Sequence, residues 1–136
     1  MPRGNDRGTI LIGSSDSAIL GMLDSFVSIN FDMNVVCVDE TSDFLLEILD
    51  KRVDLTIIDV NLNGLPTAKT IQIFKKCRPR VPVIVISDDY SVETGSRIME
   101  HGIFYYLYKP IETDNLREIV QSALNKRSKE EADERR

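Results

Sequence analysis

Apolar residues recur along the chain in five short runs, at 9–13 (TILIG), 35–38 (VVCV), 55–60 (LTIIDV), 81–87 (VPVIVIS) and 104–108 (FYYLY). The central runs are rich in β-branched residues and almost unbroken in hydrophobicity, the pattern of parallel strands covered on both faces. Between the runs the apolar spacing changes to the helical period. Ile19, Leu23, Phe26 and Val27 form one stripe, and Phe44, Leu45, Ile48 and Leu49 a second. Over 67–76, Ile71 and Phe74 anchor a third helix, with Lys69, Lys75 and Lys76 on its wet side. Arg78-Pro79-Arg80 ends it, because proline disfavours helix at the residue before it. Val92, Ile98 and Met99 mark a fourth helix around Gly95. Leu116, Ile119, Val120, Ala123 and Leu124 follow the i, i+3, i+4, i+7, i+8 pattern of a fifth, with Thr113 placed to cap it.

Strands alternating with helices in this way predict a doubly wound α/β sheet with right-handed crossovers. In such a sheet function gathers beyond the carboxyl ends of the strands. Those ends carry Gly13-Ser14-Ser15-Asp16-Ser17, Asp59-Val60-Asn61-Leu62-Asn63-Gly64, Ser87-Asp88-Asp89 and Lys109-Pro110. Each group has an ordinary reading: aspartates make turns, serines cap the next helix, and a lysine is solvated. On one edge of one sheet, a carboxylate, several hydroxyls and a lysine together point to a site.

Composition narrows the alternatives. The 136 residues suit one domain with a core of its own, at 42% hydrophobic and 29% charged. A net charge of −5 argues against a nucleic-acid face, which needs a basic surface. The polar start MPRGNDRG lacks the apolar stretch of a signal peptide, and no run reaches membrane-spanning length. Cys37 and Cys77 form no CxxC pair, Cys37 reads as a small buried hydrophobe, and a reducing cytoplasm is the simplest setting. His101, before Gly102, is placed to interact with a helix end rather than with a metal.

Over roughly 8–126 the layout resembles the receiver domain of bacterial response regulators. The residues that carry the resemblance are Asp59 after a hydrophobic strand, Ser87 closing the fourth strand, Lys109-Pro110 closing the fifth, and Tyr106 at the aromatic switch position. The resemblance implies a flavodoxin-like strand order 2-1-3-4-5 with five helices, and a signalling module rather than an enzyme. It implies that Asp59 accepts a phosphoryl group from a histidine kinase or phosphotransfer protein. Ser87 would bond the phosphoryl oxygen, Lys109 would pair with the carboxylate or phosphate, and the Asn61 backbone carbonyl would help bind Mg²⁺. It also implies a cis Lys109-Pro110 bond. Aspartate is a competent nucleophile, and phosphoryl transfer relies chiefly on positioning and charge neutralisation.

The chain departs from that family where metal is held. The acidic pair after the first strand falls on Ser14 and Ser15; Asp16 is acidic one position later, at the start of a helix. Asn63 replaces a usual proline and Thr67 a usual glycine, with Gly64 available for the turn. One carboxylate against one lysine predicts much weaker Mg²⁺ binding and a direct Asp59–Lys109 pair. Two further readings stand beside the phosphoacceptor. One is a degenerate receiver acting as a phosphorylation-independent interaction module or homodimer, through the fourth helix, fifth strand and fifth helix. The other is a flavodoxin-like binder of a phosphate-containing ligand at the 13–17 loop. Residues 1–7 are expected as a tail. Residues 127–136 are expected as a charged extension or the start of a linker to an output domain.

Overall fold

The computed structural model describes residues 7–50 and 52–134. Most of the N-terminal tail and the last two residues lie outside that range. Its elements alternate without exception: β1 (Thr9–Gly13), α1 (Ser17–Asn30), β2 (Asn34–Val38), α2 (Thr41–Asp50), β3 (Leu55–Asp59), α3 (Thr67–Cys77), β4 (Val83–Ser87), α4 (Val92–Met99), β5 (Tyr105–Tyr108) and α5 (Thr113–Glu134). The five strands form one parallel sheet in the order β2-β1-β3-β4-β5.

Pleating divides each central strand between two cores. Ile10, Ile12, Ile57, Ile84 and Ile86 pack with Leu23, Phe26 and Val27 of α1 and Leu116 and Val120 of α5. Leu11, Ile58, Val83 and Val85 pack on the other face with Phe44, Ile71, Phe74 and Ile98. Every residue of β3 and β4 is buried, which is why those runs read as continuous rather than alternating. Phe74 is fully buried against Phe44, with ring centroids 5.7 Å apart. Emptying such a position costs roughly 3–5 kcal/mol.

Several expectations are corrected. β4 begins at Val83 rather than 81, because the Val81 amide turns back to the Arg78 carbonyl and Pro82 has no N–H to give the ladder. Leu49, Val92 and Met99 are 65%, 83% and 56% exposed, so they lie outside the stripes assigned to them. On α4 only Gly95 and Ile98 are buried, which leaves the flanks wet. Cys37 is exposed, since β2 is an edge strand paired with β1 alone. Thr113 is the first residue of α5 rather than its cap, and the Leu116 amide bonds the Glu112 carbonyl.

Helix α5 runs past the expected end of the domain and is tied back to its body. Asp54 is 3% exposed. It accepts the Thr9 amide at 2.9 Å and Arg52 Nε at 2.9 Å, and Arg127 Nε lies 3.5 Å away. Arg52 also binds Glu131 at 2.7 Å, joining the helix to the strand entrances. An acidic residue at the mouth of a buried strand was the available signal for this network, and sequence reasoning missed it.

Candidate functional site

The carboxyl end of the sheet brings Asp59, Lys109 and Ser14 into direct contact. β3 delivers Asp59 between its two neighbours, and its side chain has no exposed surface. Three donors converge on the carboxylate. Ser14 Oγ donates to Oδ2 at 2.8 Å, Lys109 Nζ donates to the same oxygen at 3.0 Å, and the Asn61 amide donates to Oδ1 at 3.0 Å. A buried carboxylate left alone would cost several kcal/mol, and pairing with hydrogen bonds on both oxygens is the usual compensation. The Asp59–Lys109 pair expected from charge balance is therefore present.

The other residues take distinct places. The Lys109 amide bonds the Ser87 carbonyl at 2.9 Å, and the Lys109-Pro110 bond is cis. The Ser87 hydroxyl is buried but turned to its own loop, accepting from the Asp89 amide at 2.9 Å and donating to the Asp89 carbonyl at 3.1 Å. The Asp89 carboxyl is drawn below its usual range by hydrogen bonds from Ser91 and Thr94, and is thereby committed to starting α4. The Tyr106 hydroxyl is buried without a hydrogen-bond partner. Loss of solvent pushes its phenol above the ordinary value, with Ser87 nearby acting in the opposite direction. Tyr106 and Tyr108 meet edge to face at 5.1 Å, while Tyr90 stacks on Tyr108 and donates to the Lys109 carbonyl at 2.6 Å.

Asp16 caps α1, accepting from the Ala18 and Ile19 amides at 2.9 and 3.3 Å. That carboxylate oxygen is thereby engaged by the start of α1, and no serine caps this helix. Ser15 acts where nothing was foreseen. Its hydroxyl donates to the Asp39 carbonyl at 2.6 Å and accepts the Asn63 amide at 2.8 Å. Beside it Gly64 adopts φ +117°, so the turn after β3 does fall on this glycine. Thr67 opens α3, and its hydroxyl donates to the Val60 carbonyl at 3.2 Å.

A family model for the response regulator receiver domain matches residues 10–121. The chain is a response regulator receiver domain. It is 33% identical over 102 residues to the luminescence regulatory protein LuxO of Vibrio campbellii, a match covering 74% of this chain and 22% of that protein. It is 30% identical over 91 residues to the transcriptional regulatory protein ZraR of Salmonella typhimurium, covering 67% and 21%. The chain thus spans about a fifth of the length of these relatives. A CheY-like receiver domain protein from Methanospirillum hungatei superposes with a TM-score of 0.86 at 22% identity, covering 91% of this chain and 98% of that one. The signal receiver domain of an HD domain-containing protein from Pseudomonas fluorescens gives 0.85 at 21% identity, covering 90% and 98%. These two likenesses show the fold.

Receiver domains are signalling modules of two-component systems rather than enzymes in their own right, and they generally bind Mg²⁺ in an acidic pocket. The residues of this receiver do not fit that ion. Mg²⁺ demands near-octahedral oxygen ligation, usually with carboxylates. Here both oxygens of Asp59 already receive hydrogen bonds, and Lys109 balances its charge. Among the described residues, no group of three or more acidic, histidine or cysteine side chains is placed to hold a metal. Asp88, in the loop after β4, is bonded to the Asn61 side chain at 3.1 Å. Among the described residues, no helix is long and apolar enough to cross a membrane.

Proposed function

We propose that this receiver works as a protein-interaction module whose Asp59 is not phosphorylated through Mg²⁺. The observation that carries this reading is the closure of Asp59. A nucleophilic carboxylate needs an open oxygen and a cation to gather the incoming phosphoryl charge. Asp59 has no exposed surface, three donors already hold its oxygens, and Lys109 is spent on it. The interaction face we assign is α4–β5–α5, where Val92, Met99 and Tyr105 stand exposed. Its occupant is the output portion of a longer chain, in keeping with relatives roughly five times the matched length. A reducing cytoplasm remains the setting we assign.

A second reading has specific support. Lys109 contacts Asp59 and Ser87 closes the adjacent strand, which supports transfer from a histidine kinase or phosphotransfer protein once the Ser87 hydroxyl leaves its own loop. A phosphate ligand at the 13–17 loop has less in its favour, because Asp16 already occupies the Ala18 and Ile19 amides.

Incubation with Mg²⁺ and a small acyl-phosphate donor, followed by intact mass, separates these readings, with Asp59→Asn as control. No phosphoryl gain in the folded wild type is the expected result. A gain in the wild type that Asp59→Asn abolishes would establish the phosphoacceptor instead.

A further inference from the structure

Ser15 occupies the second position of the family's acidic pair, yet its side chain is not turned toward Asp59. Its hydroxyl joins two other loops: it donates to Asp39 in the β2–α2 loop and accepts the Asn63 amide in the β3–α3 loop. The same two loops are bonded again close by. The Thr41 amide donates to the Asn63 carbonyl at 2.9 Å, and Thr41 Oγ1 accepts the Leu65 amide at 3.0 Å. Glu40 and Asn63 meet in an isolated parallel bridge. Thr41 is only 4% exposed. The fit is close enough that a Cβ on Gly64 would run into the Thr41 side chain. Ser14, one residue earlier, ties the β1–α1 loop to Asp59. Three loops that begin on three different strands are thus bonded to one another through short hydroxyl side chains.

We infer that Ser15 is a positioning residue that staples the β1–α1, β2–α2 and β3–α3 loops into one preset surface, with no cation required. This rests on the reading of a metal-independent module and extends it from Asp59 to the loops around it. The serine pair then has a positive role. Ser14 supplies a donor to the acceptor carboxylate, and Ser15 sets the spacing of the neighbouring loops. Loops fixed this way keep the same contour whether or not Mg²⁺ is present. A hydroxyl suits the position because it donates and accepts at once, whereas an ionised carboxylate only accepts and would be repelled by the Asp39 carbonyl.

Amide hydrogen exchange of the full chain tests this, in EDTA and again in millimolar Mg²⁺. The wild type is expected to protect the Asn63 and Leu65 amides equally in both. Ser15→Ala is expected to lower that protection about tenfold, the equivalent of one net hydrogen bond, while amides of β3 and β4 keep theirs. Ser15→Thr, which retains the hydroxyl, is expected to recover it. Unprotected Asn63 and Leu65 amides in EDTA, protection gained only with Mg²⁺, or a Ser15→Ala profile identical to wild type would overturn the proposal. Intact mass on the same samples keeps the two ideas apart. A phosphoryl adduct on Asp59 with loop protection intact in EDTA would end the module reading and leave the staple standing.

Discussion

Ser14 donates to Asp59 Oδ2 at 2.8 Å, on the same oxygen that Lys109 reaches at 3.0 Å. The residue that removes a carboxylate from the family's metal pocket therefore also supplies a donor to the remaining one. Loss of the metal site and closure of the acceptor are linked through a single side chain.

The Asp59–Lys109 pair sets the first prediction. Lys109→Met leaves the fully buried Asp59 without its cation and should cost about 3–5 kcal/mol in denaturant unfolding. Asp59→Asn combined with Lys109→Met should cost less than the sum of the single changes, because a shared interaction is removed once. Strict additivity would mean that the contact contributes nothing.

Asp54 should behave as a structural acid at the opposite end of the sheet. Asp54→Ala removes the acceptor of the Thr9 amide and the partner of Arg52 and Arg127. A loss of roughly 1–3 kcal/mol is expected, since the part-buried Thr9 amide and the mostly buried Arg127 lose their acceptor together. Amides of α5 beyond Lys126 should exchange faster, and unchanged exchange there would show that the helix end is not held by this cluster.

Much of this architecture is visible in the hydrophobic pattern. β1 matches its run residue for residue, and the central strands are buried on both faces as their unbroken runs imply. The pattern misplaces Leu49, Val92 and Met99, because helical period shows which residues share a side but not how wide a strip the sheet covers. Asp59 and Lys109 were legible as strand-end residues in a fixed order. The roles of Ser14 and Ser15 were not, because a hydroxyl's partner depends on loops that converge only in the folded chain.

Cys37 is exposed on the edge strand β2. Partial desolvation at the thiol, with Asp24 adding to it, raises its pKa from 9.0 to about 11. The folded chain thus holds this proton to higher pH than the unfolded chain. The resulting stability is present below pH 9.0 and is lost as pH rises toward 11. Alkylation of Cys37 should be slow at pH 8 and accelerate only toward the raised value. A rate profile centred near 9 would contradict this environment.

Gly64→Ala should cost about 2 kcal/mol or more, from the positive φ and from contact with the Thr41 side chain. Thermal unfolding measures it, and a neutral result would show that the β3–α3 turn adapts freely.

The most direct test is thermal unfolding with and without Mg²⁺, comparing wild type with Ser14→Asp/Ser15→Asp. Restoring the acidic pair should destabilise the metal-free variant, through repulsion between a carboxylate at position 14 and Asp59 and through loss of the Ser15 hydroxyl contacts, and give it a Mg²⁺-dependent rise in Tm. The wild type should show no such rise. An equal, saturable rise in the wild type would contradict the account, because Asp59 would then bind the cation without the carboxylates that Ser14 and Ser15 replace.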